Sequence, residues 1–266
     1  MTASSSRPSV ALVIPCRNDA ALLGRCLDSF ARQSVPADAV VVVDNASSDH
    51  SAAVARSRGA VVVREPRVGI TWAARAGYDA ASDLGCDVIL RTDADSIAPR
   101  DLVATLHSEW ERAGLRPGRE VVGLTGDATF DLPALSRPVS AFYLGSYRLA
   151  VGSALGHPPL FGTNCSFTTA WWRSVRDGID SADVVSHDDI QLSFAVRPGE
   201  TVLHRRGLHV RMDSRALRGR AQMRRRFTRG WHSMMRGFAS SPPPRRLAQR
   251  LAWRLSRWRR DAARPR

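Results

Sequence analysis

The sequence contains no lysine; all 39 of its basic residues are arginine. Codon usage alone can produce that exclusivity, so this absence excludes no chemistry. Cysteine is scarce, with four in 266 residues. Cys16, Cys26, Cys86 and Cys165 form no CxxC pair. This argues against a zinc site or dithiol redox centre and reads as small core residues in a reducing compartment. No stretch reaches the ~18–20 apolar residues of a bilayer span. The nearest approach, Val139 to Leu155, is interrupted by Arg148. Met1 to Ser9 is polar and lacks the apolar centre of a secretion signal. The expectation is a cytosolic protein without a transmembrane helix. There is no internal repeat, and 44% hydrophobic with 24% charged residues is the composition of a folded chain, not a disordered one. The length suits one large domain, or one domain with an appendage.

The charge that is present is unevenly placed. Residues 201–266 hold 20 arginines against two acids, Asp213 and Asp261, while residues 1–200 hold 19 arginines against 23 acids. A mildly acidic body therefore carries a strongly basic C-terminal quarter. Such a segment attracts phosphates, whether of a nucleotide, an anionic membrane or a nucleic acid.

Short apolar runs at Val10–Pro15, Ala39–Val43, Ala60–Val63 and Cys86–Leu90 read as strands. Segments 20–32, 51–58 and 71–84 between them have helical spacing or length. Strands alternating with helices predict an α/β fold, a mainly parallel sheet covered by helices on both faces. Further on, Val121–Leu124 reads as a strand and Val139–Leu155 as a helix. Phe161–Asn164 reads as a turn into an apolar stretch ending at Trp171-Trp172, and Ser186–Val196 as a helix with acids in its first turn. Ser241-Pro-Pro-Pro244 breaks the chain before a last basic helix. The expected organisation is a flexible N-terminus over 1–9, a main domain over 10–238, and a Pro-rich linker with a basic helix over 239–266.

Open parallel sheets bind ligands at the carboxyl ends of their strands. Three polar clusters fall there: Arg17-Asn18-Asp19, Asp44-Asn45-Ala-Ser47-Ser48-Asp49, and Asp93-Ala-Asp95-Ser96. Two carboxylates spaced as in Asp93-Ala-Asp95 suit a hard divalent cation, Mg²⁺ or Mn²⁺, that bridges to a diphosphate. Asp44 can accept from a base or a ribose. Asp49 serves that purpose or starts the following helix as its cap. Asp188-Asp189 serves as an acid–base pair or simply favours a helix start.

Together these segments resemble the family 2 glycosyltransferases of GT-A fold. Val13-Ile14-Pro15-Cys-Arg17-Asn18-Asp19 is similar to their VIPxYNE segment, Val43-Asp44-Asn45-Ala-Ser47-Ser48-Asp49 to VDNASTD, and Asp93-Ala-Asp95 to DADxxxP. Arg67 to Gly77 resembles NxGxxxARNxG, with Arg67 and Arg75 where Asn is usual and Ala74 where Arg is. Gly162-Thr163-Asn164 resembles GxN, and His187-Asp188-Asp189-Ile190-Gln191-Leu192 resembles EDxxL. The resemblance covers about residues 10–235. It implies a nucleotide-diphosphate-sugar donor, bound by Asp19 and Asp44 with Pro15, Arg17, Asn45 and Arg75 on the same side. It places Asp93 by the ribose and Asp95 on the metal, with Asp93 and His209 as further ligands. Asp189 would be general base in an inverting transfer, with Asp188 beside it. Asn164, Trp171 and Trp172 would face the acceptor. Arg226, Arg229 and Trp231, in a segment similar to RRxxRG or QxxRW, would close on the diphosphate, for which arginine forks are suited.

In Arg245–Arg260, Leu247, Leu251, Leu255 and Trp258 recur at i, i+4, i+8 and i+11 among arginines. This basic amphipathic pattern either meets an anionic membrane, at the inner face of the plasma membrane, or packs on the protein's own core. In the first case a glycan or lipid-linked acceptor is favoured. A sugar nucleotidyltransferase is disfavoured because no glycine follows the first strand. Nucleic acid is a disfavoured partner because the acidic clusters would repel it. A degenerate relative, whose Arg-rich C-terminus only binds membrane or nucleic acid, is the remaining alternative.

Overall fold

The computed structural model describes residues 7–132, 136–217 and 220–262. The first half alternates β1 (Val10–Cys16), α1 (Ala20–Ala31), β2 (Ala39–Asp44), α2 (Ser51–Ser57), β3 (Val61–Arg64), α3 (Ile70–Asp83) and β4 (Val88–Thr92). A two-residue strand β5 (Ser96–Ile97) and α4 (Leu102–Gly114) follow. Then come β6 (Glu120–Asp131), α5 (Ser136–Leu155), β7 (Asn164–Thr168), α6 (Thr169–Val175), α7 (Asp188–Ala195), β8 (Glu200–Asp213), α8 (Arg220–Ser240) and α9 (Pro243–Ala262).

All eight strands form one sheet in the order β3-β2-β1-β4-β7-β6-β8-β5. Strands β3, β2, β1 and β4 run parallel; the apolar runs of β1 and β4 are buried on both faces, while β3 forms the half-exposed edge. Strand β7 is antiparallel to both neighbours, β4 and β6. The turn expected at Phe161–Asn164 therefore leads into a sheet strand, and the strand expected at 121–124 runs on to Asp131. The long β8, parallel to β6 and antiparallel to β5, was not anticipated.

Two apolar layers cover the sheet. On one face Leu12, Ile14 and Val42 meet Leu23, Cys26, Leu27 and Phe30 of α1 and Leu102, Val103 and Leu106 of α4. On the other, Ala11, Val13, Val41 and Val43 meet Ala73, Ala74 and Tyr78 of α3 with Trp171 and Trp172 of α6. Helix α3 lies close to the sheet because Gly77 has no side chain; a Cβ there would fall 2.5 Å from Val13 Cγ1. The four cysteines are buried and free.

The stretch expected as a linker is the last turn of α8 and a short turn into α9. Helix α9 lies on the body through Arg246 and Arg250, which are 6% and 4% exposed. Arg246 donates to the Phe194 and Val196 carbonyls at 2.9 and 3.1 Å, and Arg250 to those of Glu200 and Val196 at 3.1 and 3.4 Å. Cations thus satisfy the carbonyl end of α7. Among the described residues no helix is long and apolar enough to cross a membrane.

Candidate active site

The loops after β1 and β2 are laced together. Asn18 Oδ1 accepts from Ser48 N (2.7 Å) and Ser47 Oγ from Asn18 N (3.1 Å). The Asp49 carboxylate accepts from Ser51 N at 2.9 Å and Ala20 N at 3.0 Å, so it starts both α2 and α1. His50 holds the N-cap position of α2, so Asp49 acts from just outside the helix. Asp44 Oδ1 accepts from Ser47 N at 3.0 Å, and its half-buried carboxylate stands at the strand end as expected. Pro15 is buried at the end of β1, and Arg17 is exposed beside it.

Asn45 corrects an expectation. Its side chain is buried and held by the fold: Nδ2 donates to the carbonyls of Glu65 (3.1 Å) and Arg67 (2.7 Å), and Oδ1 accepts from Gly69 N (2.9 Å). It staples the β3–α3 loop. Arg75 is also corrected. It donates to the Arg176 carbonyl at 3.2 Å and pairs with Asp79 and Asp177, away from the strand-end loops.

The centre of the site is a residue that the motifs did not flag, Arg91 on β4. It is 3% exposed, with Nη1 2.6 Å from Asp93 Oδ1 and Nη2 3.5 Å from Asp188 Oδ1. One buried guanidinium thus joins the two acid pairs. Asp93 Oδ2 also accepts from Thr163 Oγ1 at 2.7 Å, and Asp188 Oδ2 from the buried Tyr78 hydroxyl at 3.0 Å. Burial pulls the Asp93 carboxyl up, but Arg91 and the Thr163 hydrogen bond outweigh it and hold the group below its usual range. A charged residue inside an apolar strand is unusual enough to have been a signal in itself.

The second member of each pair behaves oppositely. Burial, then the charges of Asp93 and Asp19, push Asp95 up to about 6, against the pull of Arg215. Arg215 lies between Asp19, with which it pairs by both nitrogens, and Asp95 at 3.4 Å. Burial and the Asp188 charge push Asp189 up to about 7, although Oδ2 accepts from Gly162 N at 2.8 Å. Gly162 must be glycine for this approach, since a Cβ would fall 2.8 Å from Arg91 Nη1 and 3.1 Å from Asp189 Oδ2. Asp189 is half-buried, whereas Asp188 is buried.

Of the basic segment, Arg226 is half-buried and its charge reaches Asp93 and Asp95. Arg229 is spent on backbone, donating to Val185 O at 2.9 Å and to Ser186 O at 3.2 Å, which ties α8 to the loop before α7. Trp231 is exposed, in line with exposed Phe227 and Met235.

The acceptor-side residues are corrected. Asn164 is buried and braces β6 against β8, its Nδ2 donating to the carbonyls of Asp127 (2.9 Å) and Leu208 (3.1 Å). Trp171 and Trp172 are core residues whose indole N–H groups are held by Glu200 and Asp79. His209 meets Thr129 Oγ1 at 3.0 Å and is not brought to Asp95. Among the described residues no group of three or more His, Cys, Asp or Glu is arranged to hold a metal. The Asp93–Asp95 pair still fits a hard divalent cation in kind. It offers oxygen ligands only, and the crowding that raises Asp95 is what a cation would relieve.

A half-parallel sheet with acid pairs at the strand ends and a helix-start pair facing them is a GT-A nucleotide-diphospho-sugar transferase fold. The family model described as Glycosyl transferase family 2 matches residues 11–141, which hold the strand-end clusters of the first half of the sheet. In solved structures it resembles the mannosyltransferase PcManGT of Pyrobaculum calidifontis, described in complex with GDP-Man and Mn2+. The TM-score is 0.67 at 24% identity over 92% of this chain and 70% of that one. It also resembles TarS of Staphylococcus aureus, with a TM-score of 0.55 at 13% identity over 78% of this chain and 37% of the other. Among curated proteins it is similar to 4,4'-diaponeurosporenoate glycosyltransferase of Staphylococcus aureus (strain bovine RF122 / ET3-1), 32% identical over 117 residues. That match covers 42% of this chain and 31% of the relative, so the chain spans about a third of its length.

Proposed function

We propose that the chain transfers a sugar from a nucleotide-diphosphate donor to an acceptor hydroxyl, with inversion and with help from a divalent cation. The observation that carries this reading is Asp189, a half-buried carboxyl pushed up to about 7 and aimed by the Gly162 N–H. A general base works best with a pKa near the working pH. In the step, Asp189 takes the proton of the acceptor hydroxyl. The acceptor oxygen bonds to the anomeric carbon, and the bond to the diphosphate oxygen breaks with its electron pair. Asp188, fixed by Tyr78 and Arg91, keeps the base partly protonated near neutrality and orients it.

On the donor side Asp44 and Asp19 face the base and ribose, and Asp93 is preset by Arg91 and Thr163. Mg²⁺ or Mn²⁺ held by Asp95 and Asp93, with the remaining ligands from the donor's phosphates, would stabilise the leaving diphosphate. Arg226 adds positive charge on the same side. The names of the similar proteins support the reaction class, and the Pyrobaculum calidifontis neighbour supports nucleotide sugar and metal. A glycan or lipid-linked acceptor is proposed for the hydroxyl. The main-domain and basic-helix division at about 238, and a place at the inner membrane face, belong to the same proposal.

The test is binding and turnover of UDP-, GDP- and dTDP-sugars with Mn²⁺, comparing the wild type with Asp95→Ala. Metal-dependent binding of one donor, lost in Asp95→Ala, is expected. No binding of any donor with metal present would overturn the reading. That result would favour a second one, a relative that keeps the fold without the transfer. The observation behind the second reading is Arg215, whose guanidinium already fills the space between Asp19 and Asp95.

A further inference from the structure

The last helix presents its faces in an unusual order. On α9 the side turned to the protein is Arg246, Arg250 and Trp253, the last packed on Gly199. The leucines face out: Leu247, Leu251 and Leu255 are about half exposed, Leu251 the most at 57%. At 100° per residue, Pro244, Ala248 and Ala252 complete that outward sector, and exposed Arg245 and Arg254 flank it on either side. A helix that only covered its own domain would bury the leucines and expose the arginines. Here the guanidiniums are consumed as caps for α7, which leaves the apolar stripe without a partner.

The stripe has a neighbour of the same character. Leu247 and Arg250 lie against Gly156 at the end of α5. Helix α5 contains no acid, and its exposed Ala141, Phe142, Gly145, Leu149 and Ala150 carry no charge; Phe142 is 79% exposed. Two adjacent helices thus expose large apolar side chains, and no acidic residue lies between Arg245 and Arg260.

We propose that the outward faces of α9 and α5 form a docking surface for an anionic lipid bilayer, with Leu247, Leu251, Leu255, Phe142 and Leu149 entering the interface and Arg245 and Arg254 meeting headgroup phosphates. Charge chooses this occupant over a second copy of the chain. A two-fold pairing would set the flanking arginines of one copy against those of the other, with no acid between Arg245 and Arg260 or on α5 to offset them. An anionic headgroup layer complements them. Helix α7, about 12 Å long at ~1.5 Å per residue, joins this surface to Asp189, since α9 caps one end and the proposed base sits at the other. The surface stands on its own exposure and charge and does not depend on the transfer reaction.

The test is flotation of the full chain with vesicles of phosphatidylcholine alone and with about a third phosphatidylglycerol. The readout is bound fraction, with the thermal melt as the check on folding. The wild type is expected to float with the anionic vesicles and only weakly with the neutral ones. Leu251→Glu with Leu255→Glu should lower partitioning about tenfold or more with an unchanged melt, and Phe142→Asp should lower it less. Failure of the wild type to float would overturn the proposal. So would full binding by the double variant, which would leave only non-specific arginine attraction. A lipid-free wild-type dimer that Leu251→Glu dissociates would also overturn it, in favour of self-association. Loss or retention of donor binding bears only on the proposed reaction.

Discussion

The acid pairs Asp93–Asp95 and Asp188–Asp189 share one buried arginine but use it differently on their outer members. In each pair one carboxylate is held by Arg91 and a hydroxyl: Thr163 for Asp93, Tyr78 for Asp188. In each pair the other carboxylate is pushed up, Asp95 to about 6 and Asp189 to about 7. Around Asp95 stand a third carboxylate, Asp19, and the arginines 215 and 226. That is a site already balanced by cations. Around Asp189 stands one N–H donor, from Gly162, and no cation in direct contact among the described residues. The comparison teaches that a raised carboxylate pKa does not define a role. Among three carboxylates and two arginines it suits a place for positive charge; with Asp188 as its main charged neighbour and no cation in direct contact it suits a proton acceptor.

Removing the shared arginine should have the largest effect on both pairs. Arg91→Met leaves the buried Asp188 carboxylate without its cation and Asp93 without its ion pair, and a loss of about 3 kcal/mol in stability is expected by urea denaturation. A loss below ~1 kcal/mol would mean that the two pairs are not coupled through it.

The second way to separate the pairs is Asp189→Asn. A fall in turnover of about 10²–10⁴ with donor affinity kept is expected of a general base, measured by steady-state kinetics and donor titration. The wild-type rate should fall about tenfold per pH unit below about 7, where Asp189 takes its proton. Stability should run the other way. Native Asp189 keeps its proton to about 7, while an unfolded Asp releases it near ~3.9, so the folded state binds more protons across that window and loses stability as pH rises through it. Asp189→Asn should therefore melt higher than the wild type at pH 8, and the gain should vanish near pH 4.

The smallest effect is expected at Arg215. If its guanidinium stands in for a cation between Asp19 and Asp95, Arg215→Ala should bind Mn²⁺ alone about fivefold more tightly by calorimetry, in keeping with the ~1 kcal/mol of a partly exposed ion pair. Weaker binding would show that Arg215 helps to build the cation site instead of filling it.

The parallel half of the molecule was legible because its buried strands are unbroken apolar runs, and their ends carry Asp19, Asp44, Asp93 and Asp95 in sequence. The second half was harder to read for physical reasons. Strand β7 is only five residues long and starts at Asn164, so it looks like a turn. In β8, Arg205-Arg206-Gly207 interrupts the strand, although Leu208, Val210 and Met212 do alternate and were a usable signal. Trp171 and Trp172 were expected on the acceptor side, yet their N–H groups are held by Glu200 and Asp79 and the rings go to the core. Asn45 and Asn164 were right in position and wrong in use. A motif shows that an amide is required, and only the fold shows whether it holds a ligand or a loop.

The place of β7 also sets an order of events during translation. It sits between β4 and β6, both of which leave the ribosome before it. From the completion of β6 at Asp131 until Thr168 emerges, two strand edges face the same empty slot, for ~2–7 s at ~5–20 residues per second. Unpaired edges are where nascent chains stick to one another. The loops that carry the acid pairs are held in relation to each other by that strand, through Thr92 opposite Asn164. The joining of β4 to β6 and the covering of both exposed edges therefore arrive with the same five residues.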